Sequence, residues 1–225
     1  MRIALINENS QASKNATIYK VLNEVATKHG HTVDNYGMFD ADDKSLTYVQ
    51  NGLLAGILLN SGACDFVVTG CGTGEGAMLA MNSFPGVLCG LVIEPSDAYL
   101  FGQINDGNAI SMPYAKGFGW GAELNLENCF ESLFKAPFGG GYPPERAEPE
   151  QANKKILDGI KKITYRPMID ILKEVDKDFL LQTIDRDSFK NLFFANAKDQ
   201  DIINYCKEVL GINPETHSVT RAKKK

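Results

Sequence analysis

The 225-residue chain contains only three histidines, a single tryptophan and no apolar run approaching the roughly 20 residues that span a bilayer. From Ser45 to Ala115 it has no Lys, Arg or His at all. Each scarcity excludes a class of function. Without an apolar span there is no membrane partner, and Met1-Arg-Ile-Ala-Leu-Ile6 is too short for a signal peptide and reads as a first strand. His29, His31 and His217 are scattered and no Cys-x-x-Cys pair occurs, so no metal site is expected. His29-Gly-His31 stands where a helix gives way to a strand, as two exposed turn histidines rather than ligands. A net charge of -5 and a pI near 5.3, without a Lys/Arg stripe, exclude a nucleic-acid partner, because a phosphate backbone needs cations to neutralise it. The terminal Arg221-Ala-Lys-Lys-Lys225 is a solvated or disordered tail. Five cysteines, an odd number without a secretion signal, read as reduced thiols in a cytoplasm. In that setting the Asn15-Ala-Thr17 glycosylation pattern is a chance match.

What is present is an ordinary globular composition, 44% hydrophobic and 23% charged, in which apolar runs alternate with segments of helical spacing. Strands are expected at residues 2–7, 31–36, 66–69, 87–93 and 109–112. Helices are expected at 14–29, 46–59, 75–83, 96–105 with Ser96 as its cap, and 122–134. Such alternation implies βαβ units, hence an α/β fold with a doubly wound, five-stranded parallel sheet and helices on both faces. Pro137-Phe-Gly-Gly-Gly-Tyr-Pro-Pro144 interrupts the pattern and marks a domain edge. We therefore divide the chain into a domain over 1–147 and a helical extension over 148–225, with helices expected at 148–162, 168–175, 177–184, 186–194 and 200–210.

The most chemical stretch is Thr69-Gly-Cys-Gly-Thr-Gly-Glu-Gly76, a strand end, a glycine-rich loop and a helix start. Gly72, Gly74 and Gly76 let a small molecule approach the main-chain amides, and a helix start favours an anion there. Cys71 and Glu75 stand beside that site as proton-transfer candidates, both favoured in their anionic forms by the helix dipole. In a parallel sheet ligands bind outside the carboxyl ends of the strands. That edge would also display Asn7, Glu8 and Asn9 after the first strand, Glu94 after the fourth and residues 113–119 after the fifth.

Several chemistries are weighed on this loop. Gly72-x-Gly74-x-x-Ala77 meets a loose dinucleotide pattern, with Glu94 about 20 residues on, but it follows the third strand and not the first. Glu75 would also oppose a pyrophosphate for which no nearby cation exists. A Cys-x5-Arg phosphatase loop would need Arg where Ala77 stands, and a cysteine hydrolase would need a histidine partner. Aldose-ketose isomerisation needs only a base, donors for two oxygens and no cofactor. A nucleotide-binding regulatory module is the alternative from another class.

Taken in order, Gly70-Cys-Gly-Thr-Gly74, Ala80-Met-Asn-Ser-Phe-Pro-Gly86, Asn105-Asp-Gly-Asn-Ala109 and Gly139-Gly-Gly-Tyr-Pro-Pro-Glu-Arg146 resemble the RpiB/LacA/LacB sugar isomerase family over residues 1–150. The resemblance implies a Rossmann-like α/β/α sandwich and an enediolate mechanism without metal or nucleotide. It also implies homodimers, or dimers of dimers, whose active sites are completed by the neighbouring subunit. Cys71 matches the base of thiol-using members, and Glu75 matches the catalytic Glu of members lacking that Cys. Because two adjacent negative charges are disfavoured, we assign the base to Glu75 with Cys71 assisting. Thr73 matches a hydroxyl that holds substrate, Asn105 a polar residue near the reacting oxygens, and Arg146 a surviving anion-binding arginine. Lys116 stands in for another cation.

The departures concern the substrate. Members acting on cyclic sugar phosphates carry Asp-His where this chain has Glu8-Asn9, and a ring-opening His where it has Ile104. Gly-Gly-Arg-His of those relatives is Gly140-Gly-Tyr-Pro143 here. One arginine suits a carboxylate better than a phosphate dianion. These losses resemble the longer branch acting on a linear deoxy-hexosulose uronate, with ribose-5-phosphate and galactose-6-phosphate isomerase as alternatives.

Overall fold

The computed structural model describes residues 1–212, so His217 and the basic tail lie outside the described residues. Strands β1 (Arg2–Asn7), β2 (Thr32–Asn35), β3 (Phe66–Cys71), β4 (Cys89–Leu91) and β5 (Ala109–Pro113) form one parallel sheet in the order β2-β1-β3-β5-β4. The doubly wound sheet read from the sequence is present. Side chains alternate across it, as the two-residue period of a strand requires. Ile3, Leu5, Phe66, Val68, Ile110 and Met112 pack on α1 (Asn15–Lys28), α4 (Pro95–Leu100) and α5 (Ala122–Phe134), while Ala4, Ile6, Val67 and Ala109 face α2 (Tyr48–Asn60) and α3 (Glu75–Met81).

Helix α2 explains how the extension is held. Every residue from Gln50 to Leu58 is buried, so the helix is apolar all round. A helix at the surface would not be. One side of α2 meets the sheet, and the other meets α7 (Met168–Glu174) and α8 (Lys177–Ile184). Leu172, Leu180 and Ile184 of these helices share one apolar cluster with Phe189 and Phe193 of α9 (Asp187–Asn196) and Ile202 of α10 (Gln200–Val209). Of its two buried polar residues, Gln50 accepts the Thr47 amide in the cap, and Asn51 donates to Thr69 Oγ1 at 3.1 Å, a hydroxyl that donates to the Ile6 carbonyl at 2.7 Å. Helix α6 (Ala147–Thr164) has no buried residue.

Four expectations are corrected. The fourth strand shrinks from 87–93 to Cys89–Leu91 and lies at the sheet edge beyond β5. Glu94, not Ser96, stands at the cap of α4: its carbonyl accepts the Asp97 amide at 3.1 Å, while the Asp97 side chain reaches back to the Glu94 amide at 3.1 Å. The helix expected to reach Asn105 ends at Leu100 and continues as a π turn over Phe101–Asn105, which lays the Phe101 ring where Gly90 and Gly107 have no side chains. His29 and His31 are half-buried, not exposed: His29 Nε2 meets Glu131 at 2.8 Å and the His31 ring stands edge-on to Phe134.

The extension also carries an acid-sensitive contact. Asp185 takes Lys190 Nζ at 2.5 Å and Lys44 Nζ at 2.8 Å, and these two hydrogen bonds lower its carboxyl to about 2. A folded pKa below the unfolded one stabilises above the unfolded value, and the gain disappears as pH falls through the folded one. The stability difference between the native chain and Asp185→Asn is therefore expected to be constant from pH 7 to 5 and to vanish between about pH 4 and 2. Thermal melts across that range check it. All three groups are partly exposed, so added salt should shrink the difference.

Candidate active site

From β1 the chain crosses to β2 on one side and returns to β3 on the other, so the crossover direction reverses between β1 and β3. Ligands of parallel sheets lodge at such a point. Asn7 and Gly70 pair there, which places Glu8, Asn9 and the 71–76 loop around one crevice.

The loop is fastened from below. Cys71, the last residue of β3, accepts the Tyr114 amide at 2.8 Å, and the Gly72 carbonyl accepts the amides of Ala115 and Lys116 at 3.1 and 2.9 Å. Ser111 Oγ donates to the Gly74 carbonyl at 2.6 Å. Gly74 has φ +81°, and a Cβ there would stand 2.7 Å from Leu91 and 2.9 Å from the Met112 main chain, so only glycine fits. The chain then enters α3 with Glu75 exposed at its first position, the Glu75 amide donating to Thr73 Oγ1 at 3.3 Å. Among the described residues the amides of Thr73, Gly74 and Gly76 have no partner, which leaves them free for an oxyanion. Cys71 Sγ and the Tyr48 ring lie 3.8 and 3.5 Å from where a Cβ on Gly76 would be. The bare glycine therefore keeps an open slot between thiol and phenol, beside the helix start that carries Glu75.

Cys71 differs from the other thiols. Cys64, Cys89, Cys129 and Cys206 are buried, and burial pushes Cys64 up and each of the other three up to about 12. Cys71 alone of the five is partly exposed. Iodoacetamide at neutral pH is expected to label Cys71 well before the rest and to abolish turnover in step with that label, as read by peptide mass spectrometry.

The first-strand exit is more committed than the sequence suggested. Glu8 is buried, with its carboxylate taken by the Ser10 amide and hydroxyl, so it shapes the short 3-10 turn over Asn9–Lys14. Asn9 is exposed and donates through Nδ2 to Ser45 at 3.1 Å. Lys116 is exposed beyond β5, its amide joined to Gly72. Sequence reasoning missed Lys14 and Tyr48. Lys14 bonds Gln11 and the Tyr114 carbonyl and lies over the Phe118 ring, so it brings a cation beside the exit of β5. Nothing in the local pattern marked it. Tyr48 had a signal in Thr47, whose side chain caps α2 and fixes where the phenol stands.

Asn105 and Arg146 are not brought to this edge within one chain. Helix α4 and the π turn carry the backbone from the carboxyl end of β4 to the amino end of β5, where Asn105 is exposed. The 137–146 segment packs there, through the Gly139 and Gly141 amides on the carbonyls of Gly102 and Gln103, and Arg146 pairs loosely with Glu150 at 3.8 Å. Two cavities of about 510 and 640 Å³ also lie at the amino edge, lined in part by Asp106, Asn108 and Lys154, away from the glycine loop. The glycine loop, not these cavities, is where a carboxylate, a thiol and free amides come together. Among the described residues no group of three or more His, Cys, Asp or Glu is arranged to hold a metal ion.

Residues 3–146 match the family model described as Ribose/Galactose Isomerase. This chain belongs to that family. A second model, described as Ribose-5-phosphate isomerase, matches residues 163–209 of the extension. This isomerase is 62% identical to a solved 4-deoxy-L-threo-5-hexosulose-uronate ketol-isomerase complexed with a tartrate, with TM-score 0.92 over 94% of this chain and 100% of that one. It is 49% identical to a ribose-5-phosphate isomerase from Vibrio parahaemolyticus, with TM-score 0.91 over 93% and 99%. The type B ribose 5-phosphate isomerase of Trypanosoma cruzi shares the fold at 19% identity, TM-score 0.60, over 72% of this chain and 99% of that one. A comparison with curated proteins finds no match. The long form read from the sequence is thus shared with full-length relatives, and the isomerase keeps the family's Rossmann-like core.

Proposed function

We propose that this isomerase acts on a linear deoxy-hexosulose uronate, moving a proton between adjacent carbons through an enediolate. The observation that carries the reading is the slot at Gly76, with Cys71 and Tyr48 on either side, Glu75 at the helix start and unpartnered amides beneath. Glu75 takes the proton from the carbon next to the carbonyl and returns it to the neighbour. The free amides hold the developing oxyanion, and the Thr73 hydroxyl and Cys71 thiol steady the two oxygens between which a proton must also pass. Gly72, Gly74 and Gly76 keep the backbone close to the sugar. Lys116 and Arg146 meet its single carboxylate, and Asn9 its hydroxyls, while Glu8 serves through the turn it shapes.

Support for the uronate comes from the 62% identical ketol-isomerase, which was solved complexed with a tartrate, a dicarboxylate, and from the charge pattern. A phosphate dianion would draw more donors than this edge supplies. The reaction calls on no metal or nucleotide, and the five free thiols suit a reducing cytoplasm. No described helix is long and apolar enough to cross a membrane.

Deuterium uptake from heavy water tests the reaction: label should enter next to the carbonyl of the uronate and not of ribose 5-phosphate or galactose 6-phosphate. Turnover of ribose 5-phosphate instead would move the chain to the other substrate. Because Asn105 and Arg146 stand at the opposite sheet edge, we also propose that a second copy delivers them. Mixing inactive Glu75→Gln and Arg146→Ala chains should then restore about a quarter of native activity, since half the dimers would be hybrids with one complete site. No recovery after exchange of subunits would place both residues outside the site.

A further inference from the structure

Among the described residues, the extension reaches the carboxyl edge of the sheet at the loop between β2 and α2. Arg186, 3% exposed, spreads its guanidinium between two acceptors of that loop: Nη2 meets Asp43 Oδ2 at 2.5 Å and Nη1 donates to the Lys44 carbonyl. Two flanking residues tie down the same segment, Ser188 Oγ donating to the Tyr36 carbonyl at 2.8 Å and Asp185 accepting Lys44 Nζ. A fork that satisfies a carboxylate and a carbonyl together is a geometry lysine cannot copy. The pair sits on Gly37, whose φ of +89° and lack of Cβ leave room for Asp43 Oδ2 and Arg186 Nη2.

Beyond the clamp the loop passes directly into the proposed site. The Asn7 amide donates to the Gly37 carbonyl at 2.6 Å and the Met38 amide to the Asn7 carbonyl at 3.0 Å, at the switch point itself. Leu46 accepts the Asn9 amide at 2.7 Å and Ser45 the Asn9 side chain, and Thr47 then caps the helix that begins with Tyr48. Gly37, Met38, Ser45 and Leu46, which bond the first-strand exit, are thus each one or two residues from a tie made by residues 185–188.

We propose that Arg186 is a positioning residue: through Asp43 and Lys44 the extension straps the 37–46 loop so that Asn9 and Tyr48 are held ready for substrate. The inference rests on the carboxyl edge being the active site. It gives the extension a role in the reaction apart from covering α2. Arg186 itself touches neither the crevice nor the loop of Cys71.

The test uses the full chain carrying Arg186→Met, Arg186→Lys or, as a control, Leu180→Ala, a buried residue of the same apolar cluster that makes no hydrogen bond or ion pair to the loop. Arg186→Met is expected to speed amide exchange over 37–48 while leaving 75–81 unchanged. It should raise KM for the uronate about tenfold with kcat within about twofold, as loss of a binding wall does. Arg186→Lys, which keeps the charge without the fork, should fall between. Leu180→Ala should lower Tm comparably and leave KM alone. An unchanged KM in Arg186→Met, or an equal rise in Leu180→Ala, overturns the proposal. If Arg186→Met does not fold, Asp43→Asn carries the same comparison. If the native chain turns over none of the sugars, the proposed reaction falls, and exchange over 37–48 together with tartrate binding by calorimetry decides the strap on its own.

Discussion

Glu75→Gln is expected to lower kcat about a thousandfold, in the range a general base contributes, whereas Cys71→Ala should cost about tenfold. The glutamine keeps the shape of the first turn of α3 and the Thr73 contact to its amide, so the loss is chemical and not structural. The physical ground is repulsion: two anions on adjoining positions of one loop oppose each other, and the carboxylate is the group ordinarily charged at neutral pH. Deuterium incorporation in single-turnover experiments reads the carbon proton directly. If Cys71→Ala lost exchange while Glu75→Gln kept it, the thiol would be the base and the carboxylate its helper.

The largest expected change in stability is at Phe189. Its ring is fully buried, stacks on Phe193 at 4.4 Å between centroids, and meets Phe194 edge-on, within the cluster that contains Tyr36, Leu46 and the outer side of α2. Phe189→Ala removes that volume from the interior of the cluster and leaves a cavity beside Phe193 and Phe194. A loss of about 3–5 kcal/mol is expected, which for a chain of this size lowers Tm by about 10 °C. Calorimetry should show one transition, since the extension and α2 share one apolar cluster. Two separate transitions would mean that the extension melts independently of the 1–147 domain.

These two outcomes concern different parts of the molecule, and the sequence speaks to them unequally. The strands β1, β3 and β5, the helices α1 and α5, and all five extension helices were legible to within about two residues, because burial imposes a period on apolar residues that survives in a linear string. The glycine loop was legible too, since the spacing of Gly72, Gly74 and Gly76 follows from local backbone needs. β4 was overestimated: its apolar flanks serve turns and the underside of α4, which periodicity cannot tell from a strand.

The site was half legible. Cys71, Thr73, Glu75, Glu8, Asn9 and Lys116 sit at one edge because the parallel topology sends every strand end there, a consequence of chirality that can be read before any coordinate is known. Asn105 and Arg146 share motifs with that loop in the string but stand at the far edge, because α4 and the π turn traverse the sheet between them. Lys14 against Tyr114, Tyr48 beside Gly76 and Arg186 against Asp43 were invisible in advance. Each joins segments that no local pattern connects, Arg186 and Asp43 being 143 positions apart. Alone, the string of residues determined the elements, the doubly wound class and the place of the glycine loop, all of which are governed by short-range sterics and the hydrophobic period. Which helix is buried on both sides, which cation faces the crevice and which residue of the extension reaches it were settled by packing, since those contacts exist only once the layers close on one another.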